Sequence, residues 1–277
     1  MASADATELV VVAEHGHVVE LVLDRPEALN AISGALAERL AEACHELNRR
    51  GASHRGAGPR AAVLSSSNER AFCVGADLKE RASFSDAQWL EQRPVLRALF
   101  DAVRAIEVPV VAAVAGYALG GGLELALSCD LIVADDTAQL GLPEAAVGLV
   151  PGGGGTQLVA RRSGLAVAAD LMFTARRVPA AEAFRLGLVD RLVPTGTARA
   201  AALELAGTVA GNSPVAVRAA KKALRLGAGT DLSTALEVED AAWRVAAGSA
   251  DRCEGVRAFI DKRAAVWPST PKSPGDG

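Results

Sequence analysis

Gly116-Tyr117-Ala118-Leu119-Gly120-Gly121-Gly122-Leu123-Glu124-Leu125-Ala126 sits between two apolar runs. Before it, Pro109 to Val114 is β-branched without alternation, which predicts a strand buried on both faces. After it a helix runs to about Cys129, and Leu131 to Ala134 reads as the next strand. Strand, glycine turn, helix and strand in that order are the mark of an α/β fold. The glycines open the helix, where backbone N–H groups have no intrahelical partner. Gly121 presents such a group with no side chain in the way. Glu124 falls in the first turn, where the macrodipole favours an acid. Its neighbours Leu123, Leu125, Ala126 and Leu127 tend to bury it.

Outward from this stretch, residues 8–24 read as a hairpin of Leu9 to Val12 and Val18 to Leu23, joined across His15-Gly16-His17. Asp24 to Glu27 is a turn. Ser33 caps a helix with Leu36, Leu40, Ala43 and Leu47 on one face. Gly51 to Pro59 reads as a surface loop and Ala61 to Leu64 as a buried strand. Phe84 to Glu107 is mostly helical, with a kink expected at Pro94. Gln139 to Leu142 is extended, Gly152 to Gly155 is a loop, and a helix starts near Thr156. Val189 to Val193 is the last strand. Helices follow over 200–210, 214–226, 232–247 and 253–263. The expected division is an α/β core over 1–197, a helical region over 198–266 and an unstructured tail over 267–277. No internal repeat is visible.

The 277 residues carry 29 basic and 33 acidic side chains, a formal net charge of −4, with 4% aromatics. Neither a nucleic-acid surface nor a base-stacking platform is expected from that balance. The longest uncharged runs, Val108–Leu123 and Ala145–Ala160, contain glycine and proline and are shorter than the ~20 residues of a membrane span. Cys44, Cys73, Cys129 and Cys253 form no paired pattern, so a reducing, cytoplasmic setting is expected. His15-x-His17 lacks a third ligand, and no metal site is expected. Cys73 lies among apolar residues and reads as a buried thiol rather than a nucleophile.

Glu144 follows Pro143 and is the second acid of interest. Alone, each glutamate reads as a first-turn helix acid. Together they follow two strand-to-turn junctions, where α/β folds build their sites. Two carboxyls in one apolar cleft can divide general acid and general base roles. A second N–H donor beside Gly121 is available in Gly75-Ala76-Asp77, and two convergent N–H groups make an oxyanion hole.

These segments resemble the enoyl-CoA hydratase/isomerase (crotonase) superfamily. Ala71-Phe72-Cys73-Val74-Gly75-Ala76-Asp77-Leu78-Lys79-Glu80 is similar to its AFxxGADxKE segment. Gly116 to Ala126 is similar to GxAxGGGxELA. Gly141-Leu142-Pro143-Glu144 with Pro151 to Gln157 is similar to PExxxGxxPGxGGTQ. Arg25 to Ala31 and Ala258 to Arg263 also fit, so the resemblance spans roughly residues 8–266.

The resemblance implies a crotonase-like spiral of ββα turns with a C-terminal helical oligomerisation region, assembled as a homotrimer or homohexamer. It implies an acyl-CoA substrate and no separate cofactor, coenzyme A being part of the substrate. Ala76 and Gly121 N–H would hold the thioester oxygen. Glu124 and Glu144 would add water across the 2,3-double bond, with Gly152 placing that water. Ala28, Ala31, Ala76, Asp77, Leu78 and Lys79 would line the coenzyme A site, and Phe259 and Lys262 would reach it from the C-terminal region. Trp89, Leu96 and Leu99 would shape the acyl pocket. The pattern departs at Leu142, where common hydratases carry a glutamine that helps hold the first glutamate. Leucine cannot do that, which leaves open how Glu124 is oriented. Enoyl-CoA hydration is the first reading. A Δ3,Δ2-enoyl-CoA isomerase and the methylglutaconyl-CoA hydratase branch, which the Gly75–Arg81 and Gly152–Gly155 runs resemble, are alternatives on the same site. A non-catalytic acyl-CoA-binding protein is opposed by the presence of both glutamates and Gly121.

Overall fold

A computed structural model describes residues 8–53 and 58–268. The chain opens with the expected hairpin, β1 (Val10–His15) and β2 (Val18–Leu23), in register from Val10↔Leu23 to His15↔Val18. His15 Nε2 bonds the buried Glu20 at 2.9 Å, so one of the two histidines at the hairpin tip is already engaged. Helix α1 (Gly34–Ser53) follows. Ser33 Oγ accepts from Leu36 N–H at 3.2 Å, the expected cap, and Leu36, Leu40, Ala43 and Leu47 are buried. The helix runs past Gly51, where a loop was expected, because packing against the third helix outweighs the ~1 kcal/mol cost of a helical glycine. Residues 54–57 of that expected loop lie outside the described residues, as does the tail beyond Pro268.

Three turns of one plan come next. The first is β3 (Ala61–Ser66), β4 (Ala71–Cys73), a short α2 (Leu78–Arg81) and α3 (Asp86–Arg104). The second is β5 (Val110–Val114), β6 (Tyr117–Leu119) and α4 (Gly121–Ser128). The third is β7 (Leu131–Asp135), β8 (Gln139–Gly141), a 3-10 turn over Pro143–Val147 and α5 (Gly155–Ser163). After these come α6 (Leu165–Thr174), β9 (Arg177–Pro179), α7 (Ala180–Arg185), β10 (Arg191–Val193), α8 (Ala198–Ala210), α9 (Pro214–Gly227), α10 (Leu232–Ala247) and α11 (Ala250–Ile260).

The first strand of each turn enters a six-stranded sheet, ordered β1-β2-β3-β5-β7-β10. The second enters a four-stranded sheet, ordered β4-β6-β8-β9. Within the three turns every neighbouring pair is parallel. This is the expected ββα spiral, and it is an internal structural repeat that the sequence does not display. Strands β4, β6 and β9 are three residues each, too short to carry a period of two, and were not expected as strands. Helix α3 runs unbroken through Pro94, its start fixed by a Ser85–Gln88 capping box.

The lack of alternation in β5 has a plain cause. Val110, Ala112 and Val114 face the main core with α1 and α3, while Val111 and Ala113 face α8 through Ala202, Leu205 and Ala206. Helix α8 therefore packs as part of the core. Of the C-terminal apolar faces, the one carrying Leu205 is covered by the large sheet. Leu224, Leu232, Leu236, Trp243, Val256, Phe259 and Ile260 are each more than half exposed on α9, α10 and α11. No helix among the described residues is long and apolar enough to cross a membrane.

Candidate active site

The parallel strands β4, β6 and β8 are neighbours, and their C-terminal ends deliver Gly75-Ala76, Gly120-Gly121 and Leu142-Pro143-Glu144 to one place. Gly120 N–H donates to Gly141 O at 2.9 Å and ties two of these ends together. Gly122 must be glycine: a Cβ there would stand 1.9 Å from Cys73 O, so α4 can lie directly on β4. Cys73 itself is fully buried, and burial pushes its thiol up to about 12, as expected for an inert core cysteine.

Ile32 N–H donates to Gly75 O at 2.7 Å and Asp77 N–H to Ile32 O at 3.0 Å. In such a parallel bridge the intervening residue turns its N–H the other way, so Ala76 N–H is not used by the Ile32 segment. Gly121 is the first residue of α4, and its N–H is likewise unused within the helix. The two segments are in close contact. Gly75 is held at φ +90°, and a Cβ there would lie 3.1 Å from Gly121 N.

Glu124 is buried and its Oε1 accepts from Gly153 N–H at 2.6 Å and Gly155 N–H at 2.7 Å. Those two donors answer the question that Leu142 raised. Leu142 packs beside them, since a Cβ on Gly155 would lie 3.1 Å from Leu142 Cδ1 and 3.0 Å from Glu124 Oε1. The glycine loop thus holds the carboxyl through backbone, where a side-chain amide is missing. Burial raises the Glu124 pKa; the loop N–H groups oppose that shift without cancelling it. Glu144 is half-buried, and its Oε2 is buried without a hydrogen-bond partner among the described residues. Burial, with the Glu124 charge adding to it, pushes Glu144 up to about 7.

Glu124, Glu144, Ala76, Gly121, Gly152 and Leu78 line one cavity of about 480 Å³. Trp89, Leu96 and Phe100 of α3 form an apolar wall. Leu99, expected beside them, is fully buried in the core instead, because it lies on another face of the helix. Arg81 and Arg93 also line the cavity, and neither was foreseen. Gly152 O accepts from Arg93 Nη2 at 2.6 Å.

The remaining expected residues lie off the cavity wall. Asp77 caps α2, accepting from Lys79 and Glu80 N–H and pairing with Arg25 at 2.6 Å. Lys79 is exposed on α2. Ala28 and Ala31 flank Leu29 and Asn30, both in left-handed backbone. That loop is pinned by Asn30 Nδ2 donating to Ser66 Oγ at 2.7 Å and to Phe72 O at 3.0 Å. Phe259 is 86% exposed and Lys262 is exposed, and neither is among the residues lining the cavity of this chain.

A pair of sheets threaded by ββα turns, with one buried and one half-buried carboxyl and two N–H groups left over by their own segments at the ends of the smaller sheet's strands, defines a crotonase-fold protein. The family described as Enoyl-CoA hydratase/isomerase matches over residues 13–270. The Enoyl-CoA isomerase/hydratase fer4 of Mycosarcoma maydis is 39% identical over 257 residues, 92% of this chain and 94% of that protein. The Short-chain-enoyl-CoA hydratase of Clostridium acetobutylicum is 35% identical over 92% of this chain and 95% of its own length. The crystal structure of an enoyl-CoA hydratase from Bacillus anthracis superposes with a TM-score of 0.90 at 38% identity, covering 94% of this chain and 99% of that one. The chain belongs to the enoyl-CoA hydratase/isomerase family.

Proposed function

We propose that the protein hydrates the 2,3-double bond of an enoyl-CoA thioester. The observation that carries this reading is the meeting of two desolvated carboxyls and two unused N–H groups in one apolar cavity. Ala76 and Gly121 N–H hold the thioester oxygen as it gains charge. Glu124, fixed through Oε1 by the glycine loop, takes a proton from a water that attacks C3, and Gly152 helps place that water. Glu144, which keeps its proton up to about pH 7, delivers it to C2. The product is a 3-hydroxyacyl thioester, and solvent returns the proton from Glu124 to Glu144. Isomerisation needs a single proton shuttle, so the second carboxyl favours hydration. Incubation with crotonyl-CoA and with a 3-enoyl-CoA, with the products identified, tests the reading; isomerisation without hydration overturns it.

The pH profile follows from the raised Glu144 pKa. The proton it must deliver is present below about 7 and lost above it. Plotted as log kcat/KM for crotonyl-CoA, activity should fall with unit slope above about pH 7. A flat profile to pH 9 would remove Glu144 as the proton donor.

The exposed apolar side chains of α9, α10 and α11 support a homotrimer or homohexamer, since a monomer rarely leaves so extended an apolar surface bare. In that assembly Phe259 and Lys262 serve a coenzyme A site of their own or an adjacent subunit. A cytoplasmic setting accords with the unpaired cysteines. Sedimentation at micromolar concentration should give a trimer or hexamer. Truncation from Ala258 should weaken assembly and coenzyme A affinity, and truncation after Pro268 should weaken neither. An active monomer would refute this.

A further inference from the structure

The loop that seats Glu124 has no side chains with which to hold itself. Gly152 to Gly155 are four consecutive glycines, with Gly154 at φ +124°, and a run of this kind loses much conformational freedom when it is fixed. Its position is therefore set from outside. Phe100 packs against it, for a Cβ at 153 would stand 2.5 Å from the ring. Arg104, the last residue of α3, reaches it with a charged donor. Arg104 Nη1 donates to Gly153 O at 2.8 Å and to Ser128 Oγ at 3.1 Å. Gly153 O lies in the chain between the two N–H groups, of Gly153 and Gly155, that Glu124 Oε1 accepts. Ser128 lies one turn beyond Glu124 on α4, and its hydroxyl donates to Glu124 O at 2.8 Å. One guanidinium thus joins the helix that carries Glu124 to the loop that seats its carboxylate.

The guanidinium is itself fixed. Its Nη2 pairs with Asp101 at 2.6 Å. Arg225 of α9 donates to Arg104 O, and to Ser128 O at 3.2 Å, which pins the ends of α3 and α4 to each other. Arg104 does not line the cavity, so its influence on the reacting atoms passes through the loop.

We propose that Arg104 is a positioning residue: by holding Gly153 O it keeps the Gly153 and Gly155 N–H groups on Glu124, so that this carboxylate stays seated as the general base. This rests on the hydratase reading, in which Glu124 is that base. The loop N–H groups oppose the upward push of burial on Glu124, so releasing them raises its pKa further. On the acid side the rate follows the ionised fraction of Glu124, and a raised pKa moves that limb to higher pH. The other charged groups about Glu124 are Glu144, which governs the alkaline limb, and Arg93 of α3, which bonds Gly152 O. A substitution at 104 removes neither.

The test uses the full-length protein and crotonyl-CoA. Arg104→Met should lower kcat ~10- to 100-fold, the cost of a misplaced catalytic group, and leave KM near the parent value. The acid limb of kcat/KM should move to higher pH, and Arg104→Lys, which keeps the charge and one donor, should recover part of both effects. Amide hydrogen exchange over residues 152–157, followed by mass spectrometry without substrate, should be faster in Arg104→Met than in the parent. A folded variant with the parent's acid limb and loop exchange would overturn the proposal. So would a joint fall in melting temperature and kcat with the acid limb in place, the mark of a residue that only supports the fold. If Arg104→Met does not fold, Arg104→Lys carries the test, and a parental acid limb with parental loop exchange overturns it there. Failure of the parent to hydrate crotonyl-CoA would instead count against the hydratase reading, and the exchange measurement is independent of it.

Discussion

Glu144→Gln and Glu124→Gln should each lower the rate of hydration by ~10² or more, the range expected when a positioned acid or base is lost. The two substitutions act for different reasons. At Glu144 the amide keeps the shape of the side chain but has no proton to deliver at a pKa near 7. At Glu124 the amide oxygen can still accept from Gly153 and Gly155, so the loop stays seated while the base is gone. Thermal melts should therefore change little, and rates measured with crotonyl-CoA should separate the variants from the parent by orders of magnitude. A variant that keeps near-full activity removes its glutamate from the mechanism.

Gly121→Pro should cost ~10²- to 10³-fold in kcat, the usual effect of losing one oxyanion donor. Proline is well suited to the first position of a helix, where the missing N–H breaks no intrahelical bond, so α4 can persist. The cavity is tight, however: a Cβ at 121 would stand 3.1 Å from Ile32 Cδ1 and 3.6 Å from Phe100 Cζ. Gly121→Ala supplies the control, because it adds the Cβ and keeps the N–H. The difference in kcat between the alanine and proline variants, in proteins with matching circular dichroism, isolates the donor. Equal turnover in the two would place the thioester oxygen elsewhere.

Much of this site can be read in the sequence because its parts are local. Gly121 and Glu124 are three residues apart at a strand-to-helix junction, and Glu144 follows a strand end in the same way. Asp77 is placed on the coenzyme A side by the resemblance, and Asp-Leu-Lys-Glu at a helix start is also the pattern of an N-cap, which Asp77 forms on α2. The holding of Glu124 was not readable from position 142, because its donors are backbone groups ten or more residues further on. Arg81 and Arg93 were invisible for a different reason. On short or amphipathic helices arginine reads as a solvated residue; Arg93 is indeed exposed, whereas Arg81 is buried with its guanidinium over Trp89. The three-residue strands escaped because they hold their shape through neighbours in the sheet, not through their own periodicity.

Each consecutive coil of the spiral contributes one part of the site: Ala76 from the first, Gly121 and Glu124 from the second, Glu144 from the third. The donor pair at 76 and 121 and the acid at 144 are therefore separable by inheritance, whereas Glu124 travels with Gly121 on one helix. A change confined to the loop after β8 alters the acid at 144 and leaves the donor pair at 76 and 121 untouched. Descendants of such a scaffold can diversify what happens to an activated acyl group while retaining the grip on it.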